Sequence, residues 1–209
     1  MNRQEIKEKA KKFAFNNKWN IWKPLIIIYV ITFLIVLLIS LIGLNEENVL
    51  FDIISSILEI ALIPLSIGYV SYIIKLVRGE NVELKETLLS KYKIFLLIFV
   101  TTFIVGLCTT IWTLLFIIPG IIYSYKVVMV QFILADNADE NTKWRDVIST
   151  SKEMMDGYKW DYFVFGLSFI GWILLSIVTC GIAMIWVLPY ITVAQTMYYE
   201  ELKKIKNIQ

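Results

Sequence analysis

Glu59 and Lys126 are ionisable side chains set inside otherwise apolar stretches, and their positions ask for an explanation. A charge at membrane depth costs about 3 kcal/mol on insertion scales unless it is paired, hydrated or neutralised. Asp52, Ser55, Ser56, Glu59 and Ser66 fall on one helical stripe, because seven residues make nearly two turns. At about 1.5 Å per residue, Glu59 lies roughly 13 Å and Lys126 roughly 9 Å from the outer ends of their apolar segments. A Glu59–Lys126 pair is therefore expected. It would either fix helix register or line a polar cavity together with Asp52, Ser55 and Ser66. Pro64, five residues beyond Glu59, and Pro189 each remove a backbone donor and are expected to kink their helices. Pro119, followed by Gly120, is expected to break the chain.

Other chemistry is sparse. The 209 residues contain no histidine, which removes the commonest general base, the Ser-His and Cys-His nucleophiles and the commonest metal ligand. Cys108 and Cys180 both lie in apolar stretches, so neither a disulfide framework nor a thiolate metal site is expected. No zinc-protease helix motif, phosphate-binding glycine loop, Mg²⁺-holding acidic pair or nucleophile elbow is present. A non-enzymatic protein without a cofactor and without nucleic acid as a partner is expected, although catalysis by Asp, Glu or Lys stays open. The acidic run Asp136, Asp139, Glu140 reads as a solvated loop and helix cap.

The elements that must carry these residues are long and apolar. Hydrophobic residues make up 58% of the chain and charged ones 18%, against nearer half and a quarter in soluble domains. A crossing helix needs about 20 mainly apolar residues. Six such segments are expected, at Pro24–Leu44, Leu50–Val77, Ile94–Ile118, Ile121–Ala135, Tyr162–Thr179 and Ile182–Tyr199. The fold class is thus all-α: one integral membrane domain over residues 1–209, a transmembrane bundle of three antiparallel hairpins. Residues 1–23 form an amphipathic cytoplasmic N-terminus, and the first apolar run is too long for a cleaved signal.

Basic residues orient the bundle. Arg3, Lys7, Lys9, Lys11, Lys12, Lys18 and Lys23 precede the first span. The second-to-third connection carries Lys75, Arg78, Lys85, Lys91 and Lys93, the fourth-to-fifth Lys143, Arg145, Lys152 and Lys159, and the tail Lys203, Lys204 and Lys206. The remaining turns, near Asn45–Val49, Pro119-Gly120 and Cys180-Gly181, carry none, and the first holds Glu46 and Glu47. Basic loops stay cytoplasmic, so both termini are expected inside. Trp19, Trp22, Tyr92, Tyr158, Trp160, Tyr198 and Tyr199 fall at the inner ends, as an interfacial belt would.

One unit is expected three times: an amphipathic segment, a Lys/aromatic cluster, a span, a tight turn and a second span holding Pro64, Pro119 or Pro189. Ile6, Ala10 and Phe13, and later Trp144, Val147, Ile148, Ser151, Met154 and Met155, recur at helical spacing among charges. Such helices either lie in the inner headgroup layer, with their lysines on anionic lipid, or pack on the bundle. Thr102, Gly106 and Thr110 form a small-residue stripe suited to close helix contact.

The pieces LFIIPGIIYSYK (Leu115–Lys126), FILADN (Phe132–Asn137), KWDYFVFGLSFIGW (Lys159–Trp172) and WVLPY (Trp186–Tyr190) resemble a bacterial integral-membrane family, domain of unknown function nine-seven-five. The C-terminal half carries the likeness, and the N-terminal half follows by topology. The resemblance implies a six-span protein of the bacterial plasma membrane with no settled activity, so no site residue carries over. Two functions are expected to compete. One is binding of a lipid, peptide or hydrophobic solute for envelope protection or immunity. The other is a small transporter or channel using the Glu59 stripe. Partners would be membrane lipids, including anionic inner-leaflet headgroups, and a second copy or another membrane protein.

Overall fold

A computed structural model describes residues 2–41 and 49–208. Every regular element among them is helical: α1 (Arg3–Asn16), α2 (Lys18–Leu41), α3 (Val49–Val77), α4 (Leu84–Ser90), α5 (Phe95–Leu115), α6 (Ile117–Lys126), α7 (Val130–Asp136), α8 (Trp144–Met154), α9 (Lys159–Leu167), α10 (Ile170–Val178) and α11 (Met184–Lys206). A short 3₁₀ turn, Lys91–Ile94, joins α4 to α5. Five stretches are long and apolar enough to cross a membrane: Lys18–Leu41, Val49–Val77, Leu84–Leu115, Ile117–Asp136 and Lys159–Val178. The expected end of the first span and Glu46 and Glu47 lie outside the described residues.

Burial divides the molecule into two regions. α3 is central, with α4, α7 and α11 packed on it. Its C-terminal half, from Pro64 to Ile74, is almost wholly buried, whereas its N-terminal half is open. The fully buried side chains include Tyr198, Tyr199, Phe132, Phe165, Met129 and Met154, all in one cluster with Ile73 and Ile74. Away from this core, α2, the C-terminal part of α5, the start of α6, and α10 expose large apolar side chains such as Phe33, Leu114, Ile117 and Val178. Water-soluble monomers rarely expose continuous apolar patches beyond a few hundred Å². These apolar helices suggest a membrane protein, with hydrocarbon as the solvent of the open half.

Several expectations are corrected. The break before α6 falls at Phe116, in extended backbone, not at Pro119-Gly120. Pro119 sits in the first turn of α6, where a missing N–H costs no helical hydrogen bond. It therefore starts a helix and kinks none, while Pro64 and Pro189 lie inside continuous helices. The expected fourth span is two helices separated at Val127–Met129, and the fifth is stepped at Ser168-Phe169. The turn at Cys180-Gly181 is present, with φ of 49° and 88°. α11 runs on into the lysine-rich tail and is not among the five apolar crossings.

Both amphipathic helices bury their apolar faces on protein. α1 lies along α11 with Ile6 and Ala10 covered, and α8 packs on α5 and α7 through Val147, Ile148, Ser151 and Met154. Tyr198 and Tyr199, expected in an interfacial belt, are core residues. The Thr102–Gly106–Thr110 stripe is exposed, and a Cβ on Gly106 would meet nothing within 4 Å among the described residues. The close approaches are elsewhere. A Cβ on Gly68 would strike the Leu88 backbone (Cα at 2.9 Å), and one on Gly120 the Thr113 backbone (Cα at 2.6 Å).

Candidate functional site

The densest polar cluster joins the ends of three helices. Arg78, one residue beyond α3, forks onto Asp136 at the end of α7, with both Nη atoms 2.7 Å from its two carboxylate oxygens. The same guanidinium donates to Glu200 on α11 from Nε (3.0 Å) and Nη2 (2.7 Å). Lys203 Nζ at 2.9 Å and the Tyr199 hydroxyl at 3.1 Å also donate to Asp136 Oδ2. The Asp136 side chain is 5% exposed. Its hydrogen bonds hold the Arg78 guanidinium above its usual range, with Glu200 acting the same way against the opposing effect of burial, so the cation never titrates. Two cations face two carboxylates, so the cluster is balanced and best suited to fastening helices. The solvated loop expected for Asp136 is thus corrected, while Asp139 does sit in an exposed turn with Thr142. An Arg in a stretch whose other basic residues are all Lys was the only sequence signal, because the forked geometry needs a guanidinium.

Two cavities are better placed to bind something. The first, of about 350 Å³, opens between α1, α2, α10 and α11. Its walls are Phe15, Trp22, Trp172, Trp186 and Tyr190, with exposed Lys11 and Lys18 beside them. Trp22 meets Trp186 edge-on at 5.7 Å, and Trp172 meets Tyr190 at 6.2 Å. Lys18 Nζ lies 5.3 Å from the Phe15 ring centre. Aromatic walls with cations at the margin suit an amphiphile: rings take the tail, and ammonium groups take a negative head.

The second, about 550 Å³, lies between α3, α5, α6 and α7. Ser66, Thr102, Thr109, Ser124 and Gln131 give it a polar lining among Ile63, Val105 and Val127. The hydroxyls of Ser66, Thr109 and Ser124 donate to backbone carbonyls within their own helices at 2.7 Å, leaving oxygen lone pairs open.

Among the expected polar site residues only Ser66 lines one of these cavities, and of the expected kink prolines Pro189 lines the aromatic one. Asp52 is exposed in the first turn of α3, where its carbonyl accepts from Ser55 and Ser56. Glu59 is exposed, and Lys126 is half-buried at the end of α6. The Lys126 carbonyl, freed where the helix breaks, accepts from Ser151 on α8 at 3.0 Å. The described residues hold six ion pairs, and Glu59–Lys126 is not among them.

No curated protein and no solved structure matches the chain. One family profile does, over residues 1–127 and 114–206, which together span nearly the whole length. The chain therefore belongs to the family described as Protein of unknown function (DUF975).

Proposed function

We propose that this is a six-span protein of a bacterial plasma membrane, with both termini cytoplasmic, that binds a lipid, peptide or hydrophobic solute without catalysis, in envelope protection or immunity. The aromatic groove carries this reading: three tryptophans, a tyrosine and a phenylalanine converge beside two lysines, within apolar surface open to hydrocarbon. The six-span topology draws support from the ion cluster. Asp136 ends α7 and Lys203 lies near the end of α11, and the two are bonded. The chain between them returns to the same place, which supports reading α9–α10 and α11 as a membrane hairpin. With the basic loops, this favours α11 as the sixth crossing.

The purified protein in detergent should bind a lysophospholipid with a brominated tail, read as quenching of tryptophan fluorescence. A Trp22→Leu/Trp186→Leu double variant should bind about tenfold more weakly, roughly 1.4 kcal/mol, the scale of one lost aromatic contact. Equal affinity in a normally folded double variant would remove the groove from the reading. A second reading, a solute path, is favoured by the polar cavity, because Glu59 lies one turn outward of Ile63 on the stripe that ends at Ser66. In that case Glu59→Gln would abolish flux in vesicles and leave quenching intact.

A further inference from the structure

The start of α5 and the start of α8 enclose an open cleft of about 690 Å³. Lys93 stands on one side, and Lys143 and Arg145 on the other, with Glu140 the one carboxylate among the lining residues. Arg145 is held in place by its guanidinium, 5.0 Å from the centre of the Trp144 ring. The loop before it is tied by Asp139, whose carboxylate accepts from the Asn141 N–H at 3.0 Å and from the Thr142 hydroxyl at 2.7 Å. This sets Lys143 at the N-cap of α8, where no side chain caps the helix. In the first turn the Asp146 N–H donates to the Lys143 carbonyl at 3.0 Å, which leaves the Trp144 and Arg145 N–H groups to a ligand, and the helix dipole adds positive potential that the Asp146 carboxylate partly offsets. From this polar mouth the floor runs up α5 over Leu96, Leu97 and Val100, and Leu96 is 71% exposed.

We infer that this cleft binds one anionic glycerophospholipid, its phosphate between Lys93, Lys143, Arg145 and the start of α8, its acyl chain along Leu96, Leu97 and Val100. Three cations against one carboxylate select a negative headgroup over a zwitterionic one. The trough selects a lipid over a soluble phosphate ester, since apolar area is buried only when a chain lies in it. The site shares no residue with the aromatic groove.

Native mass spectrometry of the full chain, titrated separately with phosphatidylglycerol and phosphatidylcholine, tests this. One phosphatidylglycerol should bind at least tenfold more tightly than phosphatidylcholine. In a Lys143→Gln/Arg145→Gln variant that preference should fall about tenfold, while the groove variant Lys11→Gln/Lys18→Gln should keep it. Leu97→Asp should lose the lipid yet leave the fold, checked by its unfolding temperature. Equal binding of the two lipids, loss of preference in the groove variant alone, or full competition by millimolar glycerol phosphate would each overturn the proposal. Lysophospholipid quenching through the aromatic groove should persist in the Lys143→Gln/Arg145→Gln variant and weaken in Trp22→Leu/Trp186→Leu, so this site and that function fail independently.

Discussion

Asp136 accepts from Arg78, Lys203 and Tyr199 with almost none of its carboxylate open to water, whereas Asp139, three residues on, caps an exposed turn. Nothing local distinguishes them, because the partners of Asp136 lie 58, 67 and 63 residues away. The energetic consequence differs sharply. Removing one member of a buried ion network leaves its partners uncompensated, at a cost of about 3–5 kcal/mol. Asp136→Asn is thus expected to unfold well below wild type in a thermal ramp in detergent. Arg78→Lys, which keeps the charge and loses the fork, should fall between the two. Asp139→Asn should stay within about 1 kcal/mol, as for most exposed sites. An Asp136→Asn protein unfolding at the wild-type temperature would show that the cluster fastens nothing.

Helices meet where glycine lets them, and the structure separates glycines that do this from one that does not. Gly68 brings α3 against the Leu88 backbone, and Gly120 brings α6 against Thr113, so no side-chain rotation can relieve an added methyl. Gly68→Ala and Gly120→Ala are each expected to cost about 1–3 kcal/mol through forced backbone shifts. Gly106→Ala should be neutral or gain up to about 1 kcal/mol of helix propensity. Unfolding temperatures of the three variants check this, and a destabilised Gly106→Ala beside a tolerated Gly68→Ala would refute the packing. The helices themselves were legible as long apolar runs, and the buried faces of α1 and α8 as periodic ones. What those faces pack on was not, because periodicity asks only for an apolar neighbour, and protein and lipid answer alike. The breaks at Phe116, Val127–Met129 and Ser168-Phe169 were hidden, because Lys126 and Ser168 are scattered polar residues in apolar runs long enough to read as continuous spans. The spacing of Glu59 and Lys126 gave their depth without the azimuth that decides whether two helices turn the same faces together. Ser66 was legible as polar, and its company of Thr102, Ser124 and Gln131 was not.

At the scale of the whole molecule, packing and exposure are segregated: aromatic side chains close the end carrying the basic connections, and apolar side chains are exposed toward the other. A bilayer would resolve this, because hydrocarbon would solvate the exposed apolar half and leave the charged ends in water. Cys180 lies in the turn before α11, exposed and in a left-handed conformation, among side chains that carry no charge. Glu140 lies in the loop before α8, among basic residues. The six crossings proposed above would put these two positions on opposite sides, with Cys180 outside. In a Cys108→Ser background, a membrane-impermeant maleimide is therefore expected to label Cys180 on intact cells. A Glu140→Cys/Cys180→Ser variant should label only after the cells are opened. If position 140 labels from outside, the basic loops face the wrong side of the membrane. The cytoplasmic placement of the basic loops and of both termini would then fall, whereas the helix contacts at Gly68 and Gly120 would stand.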